Sequence, residues 1–149
     1  MSLFFEDLAV GQTWRAGPHT MERDRIIEFG REFDPQAQHL SEEAAAHSMF
    51  GELVASGWHT AAVTMRLMTE ATAPILDSGA IGAAIEGIAW PEPVRPGDVL
   101  STESEIVELR PSRSRPDRGL MKLKTTTRRA DGVVVQVVTG VILVPRRND

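Results

Sequence analysis

The segment SGWHTAAVTMRLMTEATAPI, residues 56–75, is the longest helical pattern in the chain. Trp58, Ala61, Ala62, Met65, Met68 and Thr72 recur at spacings of three and four, the repeat of one helix face. Val63, Leu67 and Ala71 place further apolar side chains on the remaining faces. A helix that is apolar all round belongs inside a domain, so this pattern predicts one buried helix with the rest of the chain built around it. Ser56 is a suitable N-cap, because its side-chain oxygen can accept from a first-turn N–H. Pro74 predicts the end of the helix.

Strand patterns follow. Ala80 to Trp90 reads as a strand with Ile81, Ala83, Ile85 and Ala89 on one face, and Pro96-Gly97-Asp98 as a turn. Val99 to Leu109 reads as the next strand. Met121, Leu123, Thr125 and Thr127 then alternate with Lys122, Lys124, Thr126 and Arg128, the pattern of a half-buried strand. Asp131-Gly132 marks a hairpin, and Val133 to Val144 runs almost continuously apolar. An antiparallel strand apolar on both faces needs cover on both, which predicts an obligate homodimer or higher homo-oligomer. Before the long helix, Gly11-Gln12-Thr13-Trp14 turns into a short strand ending near Met21. Glu22 to Phe33 reads as a helix with Ile26, Ile27, Phe29, Gly30 and Phe33 as its apolar stripe. Asp34-Pro35 ends it, since a residue before proline is pushed out of the helical region. Ser41 to Ala46 reads as a short capped helix. A helical first half, one buried helix and a four-stranded meander together predict an α+β fold, an antiparallel sheet packed against one long helix.

The 149 residues fit one domain, spanning 1–149, which can bury ~68–70% of its extended surface. Cysteine is absent, which excludes a disulfide scaffold, a Cys-based zinc site and a cysteine nucleophile. The net charge of −5 argues against a nucleic-acid partner. No apolar run is long enough for a membrane span, and the start, Met1-Ser2-Leu3-Phe4-Phe5-Glu6-Asp7, lacks the basic region of a secretory signal. The expected location is the cytoplasm. The charge is uneven: residues 110–129 hold eight bases and one acid. Such a segment is either a solvated hairpin or a site for an anionic ligand.

Two places carry candidate chemistry. In Phe33-Asp34-Pro35-Gln36-Ala37-Gln38-His39-Leu40, a carboxylate and an imidazole share one proline-stiffened loop, where they could hold a water and move its protons. The alternative is an Asp capping a turn and a surface His. In Ala55-Ser56-Gly57-Trp58-His59-Thr60, a glycine opens the buried helix, where unpaired N–H groups and the helix dipole favour a developing oxyanion. The alternative is a tight turn into a helix.

Taken together, Asp34-Pro35-Gln36-Ala37-Gln38-His39-Leu40, Phe50-Gly51 and Ser56-Gly57 resemble the hydratase motif of the MaoC-like dehydratase family, which includes the (R)-specific enoyl-CoA hydratases. Trp90-Pro91-Glu92-Pro93-Val94-Arg95-Pro96-Gly97-Asp98 resembles its second signature. The resemblance runs from Phe5 to Val144 and implies the hotdog fold, an antiparallel sheet wrapped around a long central helix, in at least a homodimer. Three positions depart from the motif: Gln36 stands for its Asn, Ala37 for its Pro, and Ser56 for the His before the helix glycine.

The resemblance further implies hydration of a trans-2-enoyl thioester to an (R)-3-hydroxyacyl thioester, or the reverse, with no metal or other cofactor and coenzyme A as the carrier. Asp34 and His39 would hold the water, with Asp34 as base, and the Gly57 N–H would bind the thioester oxygen. Gln36, Ser56 and Trp58 would complete the substrate site, and Arg113 and Arg115 would meet the CoA phosphates. Trp90 is expected to pack or to line the acyl tunnel. His47 and His59 lack any metal-ligand spacing relative to His39, and Ser112 and Ser114 have no context for a nucleophile. The competing readings are a hotdog acyl-CoA thioesterase and a non-catalytic acyl-thioester-binding subunit.

Overall fold

The computed structural model describes residues 1–148. Its strands are β1 (Thr13–Thr20), β2 (Ile81–Ala89), β3 (Val99–Pro111), β4 (Arg118–Arg129) and β5 (Val134–Pro145). They form one antiparallel sheet in the order β1-β3-β4-β5-β2. The expected four-stranded meander is corrected here. Only β3, β4 and β5 follow one another across the sheet; β2 lies beyond β5, and β1 closes the other side as a fifth strand. The reason is the connection after β2. Pro91, Pro93 and Pro96 bar a tight hairpin into β3. Instead this segment crosses the end of the sheet and is tied down by Ala55 N–H to the Val94 carbonyl (2.8 Å) and Gly97 N–H to the Met21 carbonyl (2.8 Å).

The described residues also form four α-helices, α1 (Arg23–Phe33), α2 (Glu42–Ala45), α3 (Gly57–Ala71) and α4 (Ala73–Leu76), and two single 3-10 turns. The single helix expected over 56–75 is in fact α3 followed by α4. Proline cannot sit in a helix interior but suits a first turn, so Pro74 starts a new turn rather than closing the old one.

α3 lies on the sheet against β1, β3 and β4. Thr60, Val63, Thr64 and Leu67 face inward and are buried. One part of the core gathers Met21, Ile26, Leu53, Val63, Leu67, Leu100 and Val135. A second gathers Ile75, Ile106, Met121, Leu123, Ile142 and Val144 near the other end. Each fully buried aliphatic side chain contributes roughly 1.5–3 kcal/mol. Four buried hydroxyls pair across elements, Thr64 with Thr127 at 2.7 Å and Ser104 with Thr125 at 2.8 Å, so these add little desolvation penalty.

α3 is not covered all round, as its composition suggested. Trp58 and Met65 are exposed, on a side that one chain does not cover. β5 lies inside the sheet with Val135, Ile142 and Val144 buried. The uncovered apolar edge is instead β2, none of whose residues is buried, Ile81 and Ile85 being among the most exposed aliphatics.

Candidate active site

α1 ends at Asp34, whose N–H donates to the Gly30 carbonyl at 3.0 Å. Pro35 follows, and a single 3-10 turn, Ala37–His39, swings the imidazole inward. Gly30 makes this possible. A Cβ on Gly30 would lie 2.5 Å from the His39 carbonyl oxygen, so the loop rests directly on the α1 backbone. His39 Nδ1 lies 2.7 Å from the Val54 carbonyl. A carbonyl only accepts, so Nδ1 carries the proton and Nε2 is the free ring nitrogen. Val54 also donates its N–H to the Gln38 carbonyl at 2.9 Å, clamping the same loop.

His39 Nε2 points at Asp34 Oδ2, 3.4 Å away, with side chains only 7% and 15% exposed. Asp34 is held from two further sides. Ser56 Oγ donates to Oδ2 at 2.6 Å, and Gln36 Nε2 donates to Oδ1 at 2.7 Å. Burial pushes the Asp34 carboxyl up; the bonds from Ser56 and Gln36, with the nearby imidazole, more than offset this and leave it below its ordinary value. In the tautomer that carries its proton on Nδ1 alone, Nε2 is an acceptor like Oδ2. A water bridging them would give one hydrogen to each and turn a lone pair outward, the orientation a nucleophilic water needs.

Ser56 also caps α3, its Oγ accepting from Trp58 N–H at 3.2 Å. The His59 and Thr60 N–H groups bond the Ser56 carbonyl. The Gly57 N–H is left without a partner among the described residues, at the positive end of the helix. The structure gives Gly57 a reason the sequence did not show. A Cβ there would lie 2.6 Å from the Trp90 indole, so the glycine makes room for that ring. Trp90 is anchored by its Nε1–H, which donates to Gln136 Oε1 at 2.8 Å.

Asp34, Gln36, His39, Gly57, Trp58 and Trp90 line one cavity of about 370 Å³. The structure therefore brings Asp34, His39, Gly57, Gln36 and Trp58 to one cavity; Ser56, the other substrate-site residue expected from sequence, is buried behind the wall and reaches Asp34 through its hydroxyl. Arg113 and Arg115 are not brought to them. They lie on the β3–β4 turn, beside Arg118, which pairs with Pro145. β5 runs from Val135 on the cavity wall to Pro145, a span of roughly 30 Å at ~3.3 Å per residue. The cavity lining holds no lysine or arginine. Ser112 Oγ accepts from Arg115 N–H at 3.1 Å, a turn-forming bond. His59 stacks on Phe29 (ring centroids 4.9 Å) in a different cavity, and His47 is exposed. Sequence reading missed the clamping roles of Gly30 and Val54. A glycine on the buried stripe of α1 was the one signal available for the first; a backbone carbonyl leaves none.

The MaoC-like domain family model matches residues 7–128. The chain belongs to the MaoC-like family. A MaoC-like dehydratase from Rhodospirillum rubrum, known by crystal structure, is 47% identical, with a TM-score of 0.91 over 99% of this chain and 100% of that one. A 3-hydroxybutyryl-CoA dehydratase of Methylorubrum extorquens is 33% identical over 115 residues, 76% of this chain and 69% of that protein. The (R)-hydratase from A. caviae, at 22% identity, shares the fold with a TM-score of 0.73 over 94% of this chain and 99% of that one. The fold of this MaoC-like protein is the hotdog, α+β with a five-stranded antiparallel sheet against a long helix. Two departures from the family motif, Gln36 and Ser56, both donate to the Asp34 carboxylate, so they support the acid rather than dismantle it.

Proposed function

We propose that this MaoC-like protein adds water across the double bond of trans-2-enoyl-CoA thioesters to give (R)-3-hydroxyacyl-CoA, and catalyses the reverse elimination. The observation that carries this is the Asp34–His39 pair, with Oδ2 and Nε2 3.4 Å apart beside a cavity that also holds the Gly57 N–H, unpartnered among the described residues. The Gly57 N–H takes the thioester oxygen and stabilises the enolate that forms there. Water oxygen bonds to C3 as its proton passes to Asp34, and that proton then goes to C2, so the elements of water add across the bond. His39 holds the second hydrogen of the water. The (R) configuration is the one the family resemblance implies, and coenzyme A is the carrier in the name of the Methylorubrum extorquens dehydratase.

The phosphates of coenzyme A extend outside a cavity with no cation of its own. Arg113 and Arg115 are proposed to meet them across an assembly, since one protomer holds them far from its own Asp34. The assembly proposed is a homodimer joined along β2, whose uncovered apolar edge invites pairing with another strand.

The test is turnover of crotonyl-CoA by the intact protein, followed by loss of enoyl absorbance, with free thiol measured in parallel. Loss of the enoyl signal without thiol is the expected result. Thiol release instead indicates a thioesterase. Tight binding of the ester with neither reaction indicates a binding subunit.

A further inference from the structure

Trp58 stands between two spaces of different character. On one side is the cavity of Asp34 and His39; on the other is a groove of about 440 Å³ between α3 and the β2–β5 side of the sheet, and Trp58 lines both. The groove is walled by Met65, Met68, Ile85, Ile88, Val138 and Ile142 among others, an apolar run with no charged side chain. The partition is built rather than incidental. Trp90 is fixed by its bond to Gln136, itself fully buried at the groove's floor, and by its seat on Gly57. Trp58 meets Trp90 edge-on, ring centroids 5.2 Å apart at 79°, a favourable aromatic arrangement. Trp58 itself is 59% exposed and forms no side-chain hydrogen bond among the described residues, so the removable part of the wall is Trp58.

Resting on the hydratase reading, we infer that Trp58 sets acyl-chain length: it closes the reaction cavity against the apolar groove and restricts the protein to short-chain 2-enoyl thioesters. An acyl tail longer than the cavity allows has one apolar direction to follow, into the groove, and the indole stands across it. Removing the indole joins the two spaces and gives the extra methylenes an apolar wall, where each is worth a factor of ~10 or more in discrimination.

The experiment compares kcat/KM for crotonyl-CoA and trans-2-octenoyl-CoA in the wild type, in Trp58→Ala, and in Trp58→Ala combined with Met65→Trp, each confirmed folded by circular dichroism. The wild type is expected to favour the crotonyl ester. Trp58→Ala is expected to raise the octenoyl-to-crotonyl ratio at least ~10-fold, and Met65→Trp, by refilling the groove, to remove that gain. An octenoyl ester used by the wild type as well as the crotonyl ester overturns the inference, and so does an unchanged ratio in Trp58→Ala. If Trp58→Ala does not fold, Trp58→Leu serves, with the same direction expected and an unchanged ratio again overturning the inference. A folded wild type that hydrates neither ester overturns the hydratase reading itself, a result distinct from a hydratase whose chain-length preference ignores Trp58.

Discussion

Asp34 is the residue on which the proposed chemistry turns, and on that proposal its neighbours set the pH at which it works. Ser56 and Gln36 donate to its two oxygens and hold the carboxyl below its ordinary value. Both bonds favour the charged form, so removing either raises the carboxyl pKa. The base is then lost at a higher pH as the solution is acidified. Ser56→Ala and Gln36→Leu are each expected to shift the acid limb of kcat/KM against pH upward, with the larger shift in the double variant. An acid limb that stays in place in both would remove these residues from the positioning of Asp34. In the sequence Gln36 and Ser56 stood as departures from a motif at the expected substrate site, and Ser56 also as a helix N-cap, with nothing to link either to the Asp34 carboxylate. That both converge on Asp34 is a fact of the fold, because residues 36 and 56 are brought together by the strand-like run through Val54 and not by any local spacing.

At the N-terminus of α3 a packing constraint and a chemical one coincide. Gly57 accommodates Trp90, and the same position presents the free N–H. Gly57→Ala is expected to destabilise the protein by ~1–3 kcal/mol through overpacking against the indole, read as a lower urea midpoint. Adding Trp90→Leu should return part of that loss; no return would mean that the ring is not what the methyl meets. The β3–β4 turn makes a separate prediction. Arg113→Ala with Arg115→Ala should raise KM for a CoA ester at low salt and leave KM for the matching pantetheine ester unchanged, because the latter lacks the nucleotide phosphates. Equal KM values for the CoA ester would take the turn out of the binding site. The patterns of α1, α3, β3 and β4 were readable from periodicity because each has a well-defined buried face. The crossing of β2 to the far side of β5 was not, since it depends on where the proline-rich segment after Trp90 finds backbone partners at Ala55 and Met21.

Seen as a whole, the molecule has two sheet edges, β1 and β2, and its long helix packs toward the β1 side. α3 covers β1, β3 and β4, while β2 ends the sheet with exposed Ile81 and Ile85 and an apolar groove behind it. The sequence pointed to an oligomer through β5, the most apolar strand, but β5 is interior and its neighbour β2 carries the unmet surface. Ile85→Glu places a charge on that edge and is expected to yield monomer in sedimentation velocity at concentrations where the wild type is dimeric. A wild type that sediments as a folded monomer at micromolar concentration would defeat the proposed assembly. What joins these levels is the proposed activation of a water between Asp34 and His39. The decisive comparison is the rate of trans-2-enoyl-CoA hydration by wild type and Asp34→Asn, both shown to share fold and assembly state. The account predicts a fall of at least ~10²-fold in Asp34→Asn, the loss expected for a positioned base; hydration by Asp34→Asn at close to the wild-type rate would contradict it.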